Sequence, residues 1–408
     1  MKTLLWGIIL LFNYSLKAQG IELSFSSTSA LTSQNVSITY HGASYDSLDF
    51  FIYRQEHDKE CYLERKFVGN FKEGQRFEIS TNAATRFLFV RVVKNKKFID
   101  NPKNNFIQFI DNQSITAESK AFIAKYKSPN FAWQFKLDGQ AEESKKLFEE
   151  AFKIQPALKR QFYLPYLHTF DISNSFQKMQ LEEELNEFSC LGDLDANETW
   201  NLCTFYQKLG LTEVAEDYRT KAILTFPEDK ITINQVFFKD YFRPFMNLKT
   251  SEERIKLYEA YKSKYKGIKY ENLDALELHV SLLLSALLPD YIETNTYEAW
   301  QQEMDLLKVE RRYACFASTA AKLVQEKKYL EIARKITEKS LEGEAPLLER
   351  ARDWHEPLTL PDFEVQEARK STLAGRYRTY GQILALYGEK DKAKEYLRKA
   401  AFDYGFLK

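Results

Sequence analysis

Near the end of the chain, Gly375 to Phe402 reads GRYRTYGQILALYGEKDKAKEYLRKAAF. Small and apolar residues recur at helical spacing on both sides of Gly388, with Gly381 and Leu384 before it and Ala393, Leu397 and Ala400 after it. The pattern predicts two short helices around a glycine turn. Such a hairpin has one apolar face and cannot bury it alone, so it must stack on similar neighbours. The rest of the chain must supply them.

It does so at compatible phase. In Thr199 to Pro227, Leu202, Cys203 and Tyr206 mark a first helix, Gly210 the turn, and Ala215 and Ala222 a second helix that Pro227 closes. In Ser128 to Pro156, Gly139 makes the turn, Phe148, Ala151 and Pro156 match, and Ser144 replaces the first alanine. In Ala317 to Ser340, Ala321, Val324 and Ala333 fit, while Lys328 stands for the turn glycine and Ser340 for the last alanine. These small and large positions resemble those of tetratricopeptide (TPR) units. Small residues let paired helices approach, large ones wedge the gap, and proline stops the second helix. Tyr163 to Glu187 and Lys230 to Leu307 read as divergent hairpins, with Leu282 to Leu288 as a buried helix. Ala345 to Pro361, with three prolines, breaks the array.

Ahead of the repeats the period is two. Ile21 to Phe25, Val36 to Tyr40, Ser47 to Tyr53, Cys61 to Val68, Arg76 to Ile79, Arg86 to Val93 and Asn105 to Ile110 alternate between apolar and polar residues. Seven short strands with turns between them predict an antiparallel, immunoglobulin-like sandwich. Tyr40, Phe50, Phe77, Ile79, Phe87 and Phe89 are its expected core. The expected organisation is therefore multidomain: a signal peptide at 1–18, a β-sandwich at 20–112 and an all-α TPR-like solenoid at 115–408.

The signal rests on Lys2, the apolar run Leu4 to Phe12 and small Ala18 before Gln19. The run is short of the ~20 residues that span a bilayer. It predicts export to the periplasm or the extracellular space, with no integral membrane segment after cleavage. The 58 basic and 58 acidic residues balance, which argues against nucleic acid as a partner, because that needs a basic surface. The cysteines, Cys61, Cys190, Cys203 and Cys315, include no C-x-x-C pair. A Cys190–Cys203 bridge is one reading, and buried small residues is the other, which the repeat position of Cys203 favours.

No G-x-S-x-G, H-E-x-x-H, P-loop or dinucleotide glycine pattern occurs. Asp353 to Pro357, DWHEP, places His355 between carboxylates without a second ligand at helical spacing, and His168 is the other histidine that stands out among the five. The reading is a non-catalytic chain with no cofactor and no metal. Stacked hairpins bind with the face lined by their first helices. Here that face would carry Trp200, Thr204, Gln207 and Lys208, then Lys322 and Gln325, then Arg378 and Gln382. Its polar, partly basic character suits a protein or peptide partner, docked through an extended peptide or an acidic tail.

The order of parts, with Phe148 to Leu167 (FEEAFKIQPALKRQFYLPYL) and Phe316 to Leu341 (FASTAAKLVQEKKYLEIARKITEKSL), resembles the non-catalytic front of exported thioredoxin-like proteins of the Bacteroidetes. In that family a Trp-Cys-x-x-Cys domain follows the helices. No Cys follows Cys315 here, so the resemblance carries over no redox residue. What it implies, as an alternative to a scaffold, is an accessory part of a periplasmic thiol-disulfide system. The apolar tail Ala400 to Leu407 is expected either to fold back on the last hairpin or to mark a docking surface.

Overall fold

Two-residue alternation gives way to helical spacing between 109 and 113 in the computed structural model, which describes residues 22–25, 29–30, 35–57, 59–100, 106–109, 113–266, 273–352 and 358–404. The proposed signal at 1–18, the His355 loop and the tail residues Phe406 and Leu407 lie outside the described residues.

Among the described residues nine strands form two sheets. They are β1 (Glu22–Phe25), β2 (Ser29–Ala30), β3 (Val36–His41), β4 (Tyr45–Glu56), β5 (Tyr62–Phe71), β6 (Arg76–Ile79), β7 (Thr85–Lys94), β8 (Lys97–Phe98) and β9 (Phe106–Phe109). The smaller sheet runs β1-β3-β6 and the larger β2-β9-β7-β4-β5, with β8 on β7. All pairings are antiparallel except the two-residue parallel pairing of β2 with β9.

Parity divides the larger sheet into two faces. Leu88, Val90 and Val92 alternate with Phe87, Phe89 and Arg91, and all six are buried. Leu88, Val90 and Val92 pack with Tyr40, Phe50, Phe77 and Ile79 between the sheets. Phe87 and Phe89 belong to the other face, a correction to their expected place in the sandwich core. There they meet Phe135 at ring-centroid distances of 6.3 and 5.0 Å, and Tyr126 lies 5.4 Å from Phe87. Tyr126 comes from the helix Gln113–Lys127, so that helix covers the outer face and β7 is apolar on both sides. Arg91 continues the same row, held by Asp100 at 3.0 Å and donating to the carbonyl of Phe135 at 2.7 Å.

The hairpin expected from Ser128 to Pro156 forms differently. Its second helix, Ala141–Ile154, pairs with Gln113–Lys127, and Ser144 Oγ donates to the Ala124 carbonyl at 2.7 Å. Pro129 and left-handed Lys136 flank a single 3-10 turn, Ala132–Phe135, where a first helix was expected. Gly139 serves close approach here, since a Cβ on it would lie 2.5 Å from the Pro129 Cα. Backbone cannot rotate away as a side chain tip can. Gly139→Ala is therefore expected to cost about 1–3 kcal/mol of stability, seen as a lower urea midpoint with an unchanged m-value.

Three other hairpins turn where expected, although the first helix of the closing one is 25 residues long rather than short. Ala196–Leu209 pairs with Thr212–Thr225 around Gly210 (φ 85°). Asp195 and Glu198 close a capping box at its start, a device typically worth about 1 kcal/mol. Val309–Glu326 pairs with Leu330–Leu341 through Lys327 and Tyr329, both left-handed without glycine. The closing hairpin joins Asp362–Leu386 to Lys390–Arg398 through Gly388 (φ 78°), and Tyr380 meets Tyr396 at 4.7 Å. In the tail, Ala400 is buried and Tyr404 stacks on Tyr377 at 5.3 Å, while Phe402 is 75% exposed.

The divergent region is helical, centred on Leu273–Glu293. Its stretch Ala275–Glu293 is long and apolar enough to cross a membrane, which corrects the expectation that no later segment would be. Leu283, Leu284, Leu287 and Leu288 of that helix are buried among neighbouring helices. Pro289 removes one amide from the ladder, so the Ser285 carbonyl loses its usual helical donor, and Thr319 Oγ1 of the next hairpin, which donates to the Cys315 carbonyl at 2.8 Å, lies 3.4 Å from it. By contacts the chain divides into two units, Met1–Leu181 with Asp353–Phe363, and Glu182–Arg352 with Glu364–Lys408.

Candidate functional site

Within the second unit, the first helices of the last two hairpins, Val309–Glu326 and Asp362–Leu386, border a groove of about 880 Å³. Helical spacing puts Ala314, Ala317, Ala321 and Gln325 on one stripe and Gly375, Arg378, Thr379 and Gln382 on the other. The floor is made of small side chains. A Cβ on Gly375 would meet nothing within 4 Å, so the space there is open rather than needed for packing. Gln325, Lys327, Arg378 and Gln382 set a polar, basic rim.

Behind the rim lies Arg376, 4% exposed. Its Nη1 donates to the Ser340 carbonyl at 2.7 Å, its Nε has no hydrogen-bond partner, and no carboxylate pairs with it among the described residues. Burial pulls its pKa below the usual guanidinium range. A guanidinium taken out of water without a counter-ion is costly, and an anion reaching it lowers that cost.

The groove thus collects three of the eight residues expected on a binding face: Gln325, Arg378 and Gln382. Lys322 is exposed on the same helix but does not line the groove. Thr204, Gln207 and Lys208 are exposed on Ala196–Leu209 and do not line it either. Trp200 is a correction. It is 5% exposed and its indole N–H donates to Thr232 Oγ1 at 2.9 Å, because the helix Lys230–Val236 covers that turn. It packs as a core wedge, out of a partner's reach.

Two buried polar groups had no motif to announce them. Arg376 falls at a core phase of its helix, two residues before Arg378. His279 lies at a core phase of Leu273–Glu293 and is fully buried. Its Nδ1 accepts from Tyr261 Oη at 2.6 Å, its Nε2 donates to Asn234 Oδ1 at 2.7 Å, and Phe237 stacks on it at 3.9 Å. Desolvation, with a smaller push from Arg311, holds its pKa down at about 4. The signal available for both was a charged or titratable residue inside an apolar stripe.

All four cysteines are unbridged, so the Cys190–Cys203 pairing does not form here. Burial pushes the thiols of Cys61 and Cys315 up to about 12 and about 11, which keeps them protonated and unreactive. His168 is half-buried at the end of Tyr163–Leu167. Among the described residues no three His, Cys, Asp or Glu side chains are gathered as metal ligands. Compared with protein-family models and with curated proteins, the sequence gives no match.

Proposed function

We propose that this chain is an exported, non-catalytic interaction protein whose TPR-like solenoid, following an immunoglobulin-like sandwich, holds an extended peptide of a protein partner. The observation that carries the reading is the groove between Val309–Glu326 and Asp362–Leu386, floored by alanine and glycine and rimmed by Gln325, Arg378 and Gln382. Small floor residues admit a peptide backbone close to both helices, and amide groups on the rim can pair with it. Arg376, buried without a carboxylate, fits an occupant that brings one. The partner segment is therefore acidic.

Gly375→Leu and Ala321→Trp fill the groove from positions outside the core, so they separate binding from folding. Peptides selected from a displayed random library against the full chain are expected to be enriched in Asp and Glu. Each groove-filling variant should weaken them by at least about tenfold, close to 1.4 kcal/mol, at unchanged thermal midpoint. Charge reversal at Arg378 should weaken them with a salt-dependent loss. Failure to select any saturable ligand, or ligands indifferent to both fillings, overturns the proposal.

A further inference from the structure

The first unit holds a second cavity, about 540 Å³, between the end of β4, the start of β5 and the helix Gln113–Lys127. It is separate from the peptide groove and shares no residue with it. Gln55, Cys61, Phe122, Lys125, Tyr126 and Thr359 contribute to its wall. Two of the polar groups are already satisfied. Gln55 Nε2 donates to the carbonyls of Glu56 and Lys59 at 2.8 and 2.5 Å, and its Oε1 accepts from Tyr126 Oη at 3.3 Å.

Two others are not. The Lys125 ammonium lies 5.1 and 5.2 Å from the ring centroids of Tyr126 and Phe131, and no carboxylate forms an ion pair with it among the described residues. Burial lowers its pKa, against a weaker opposing pull from Cys61 and Glu60. Thr359 is 4% exposed, and its hydroxyl has no hydrogen-bond partner among the described residues. An unpaired cation and an orphaned hydroxyl facing one cavity both raise the free energy of the empty state. A carboxylate accepts from both.

Charge and size narrow the ligand. Lys59 at the rim is bound to Glu56 at 2.6 Å, and Glu60 adds a negative charge. Lys125 with Glu60 nearby leaves the wall with little net positive charge, which suits a single negative charge better than the double charge of phosphate. The volume exceeds what an inorganic anion fills and falls in the range of small-molecule sites. Phe122, 8% exposed, offers an apolar wall for a carbon body.

We infer that this cavity is a binding site for a small organic monocarboxylate, its carboxylate bonded by Lys125 and Thr359 and its carbon body set against Phe122. Calorimetric titration of the full chain with acetate, butyrate, benzoate and inorganic phosphate tests it. Butyrate or benzoate is expected to bind saturably, and phosphate more weakly. Lys125→Met, which keeps the apolar stem, should weaken binding by about tenfold or more, the scale of a lost hydrogen bond to a charged group. Thr359→Val should weaken it severalfold. A separate readout is thermal. Lys125→Met should melt no lower than wild type without ligand, yet lose the upward shift that benzoate gives the wild type. Saturable binding by none of the carboxylates, phosphate tighter than all of them, or wild-type affinity in Thr359→Val together with Lys125→Met overturns the inference.

Discussion

Lowering the pH from 6.5 to about 4 is expected to remove about 3 kcal/mol of stability through His279 alone. The native imidazole is neutral, sealed between Tyr261 and Asn234 and stacked on Phe237. In the unfolded chain the same group takes a proton below 6.5, whereas in the folded chain it resists protonation down to about 4. Between those values the unfolded state binds more protons, so stability falls as pH falls. Above 6.5 the contribution is complete, and below about 4 it is gone. Carboxylates held below their ordinary range, such as Glu56 by Lys59 and Glu216 by Lys239, lose their contribution at pH below 4.5, under most of this window. Urea midpoints of wild type and His279→Gln, followed from neutral pH to 4, separate the two. The variant should lose most of the slope in that range. An equal slope in both would show that His279 is not the group that titrates.

Trp300→Ala is expected to cost about 3–5 kcal/mol. Trp300 is fully buried, stacks on Tyr297 at 5.9 Å and donates its indole N–H to the Leu284 carbonyl at 2.8 Å. It stands among Leu284, Leu288, Met304, Cys315 and Phe316 in a core cluster of the second unit. Truncation removes the wedge, and neighbours on several helices cannot all close the gap. Trp300→Phe, which keeps most of the volume and drops the donor, should cost about 1–2 kcal/mol. Denaturant unfolding of both variants measures the difference. A loss below 1 kcal/mol in the alanine variant would mean that the cluster repacks freely around the site.

Local pattern carried strand and helix type well, since both follow from spacing along the chain. Val36 to Tyr40 and Arg76 to Ile79 alternate cleanly and pair with each other. What alternation cannot say is what covers the second face of a strand. Phe87 and Phe89 looked like sandwich core because they are large. Their parity places them opposite Leu88 and Val90, and the helix Gln113–Lys127 together with Phe135 of the 3-10 turn covers that face. Trp200 failed for a related reason. Its phase on Ala196–Leu209 was legible, but the covering helix Lys230–Val236 lies in a segment with no repeat signature. For the candidate groove, Gln325, Arg378 and Gln382 were legible as exposed positions on first helices. Arg376 was not, because burial of a cation depends on the neighbouring hairpin, whose Ser340 carbonyl it meets. Thr359 and Lys125 share a cavity from opposite ends of the sequence, and no periodicity records such a meeting.

That meeting also fixes an order of events during synthesis. Phe363 stacks on Phe51 of β4 at 6.0 Å, and Leu358 and Thr359 close the cavity beside Lys125. The segment they come from belongs to the first unit, yet the ribosome makes it only after Glu182–Arg352 of the second. At roughly 5–20 residues per second, β4 waits on the order of tens of seconds for its last partner. Through that interval Phe51 and the cavity wall lack part of their cover. The nascent chain therefore carries that uncovered apolar surface while the second unit is being made, the interval in which a holding chaperone would act on it.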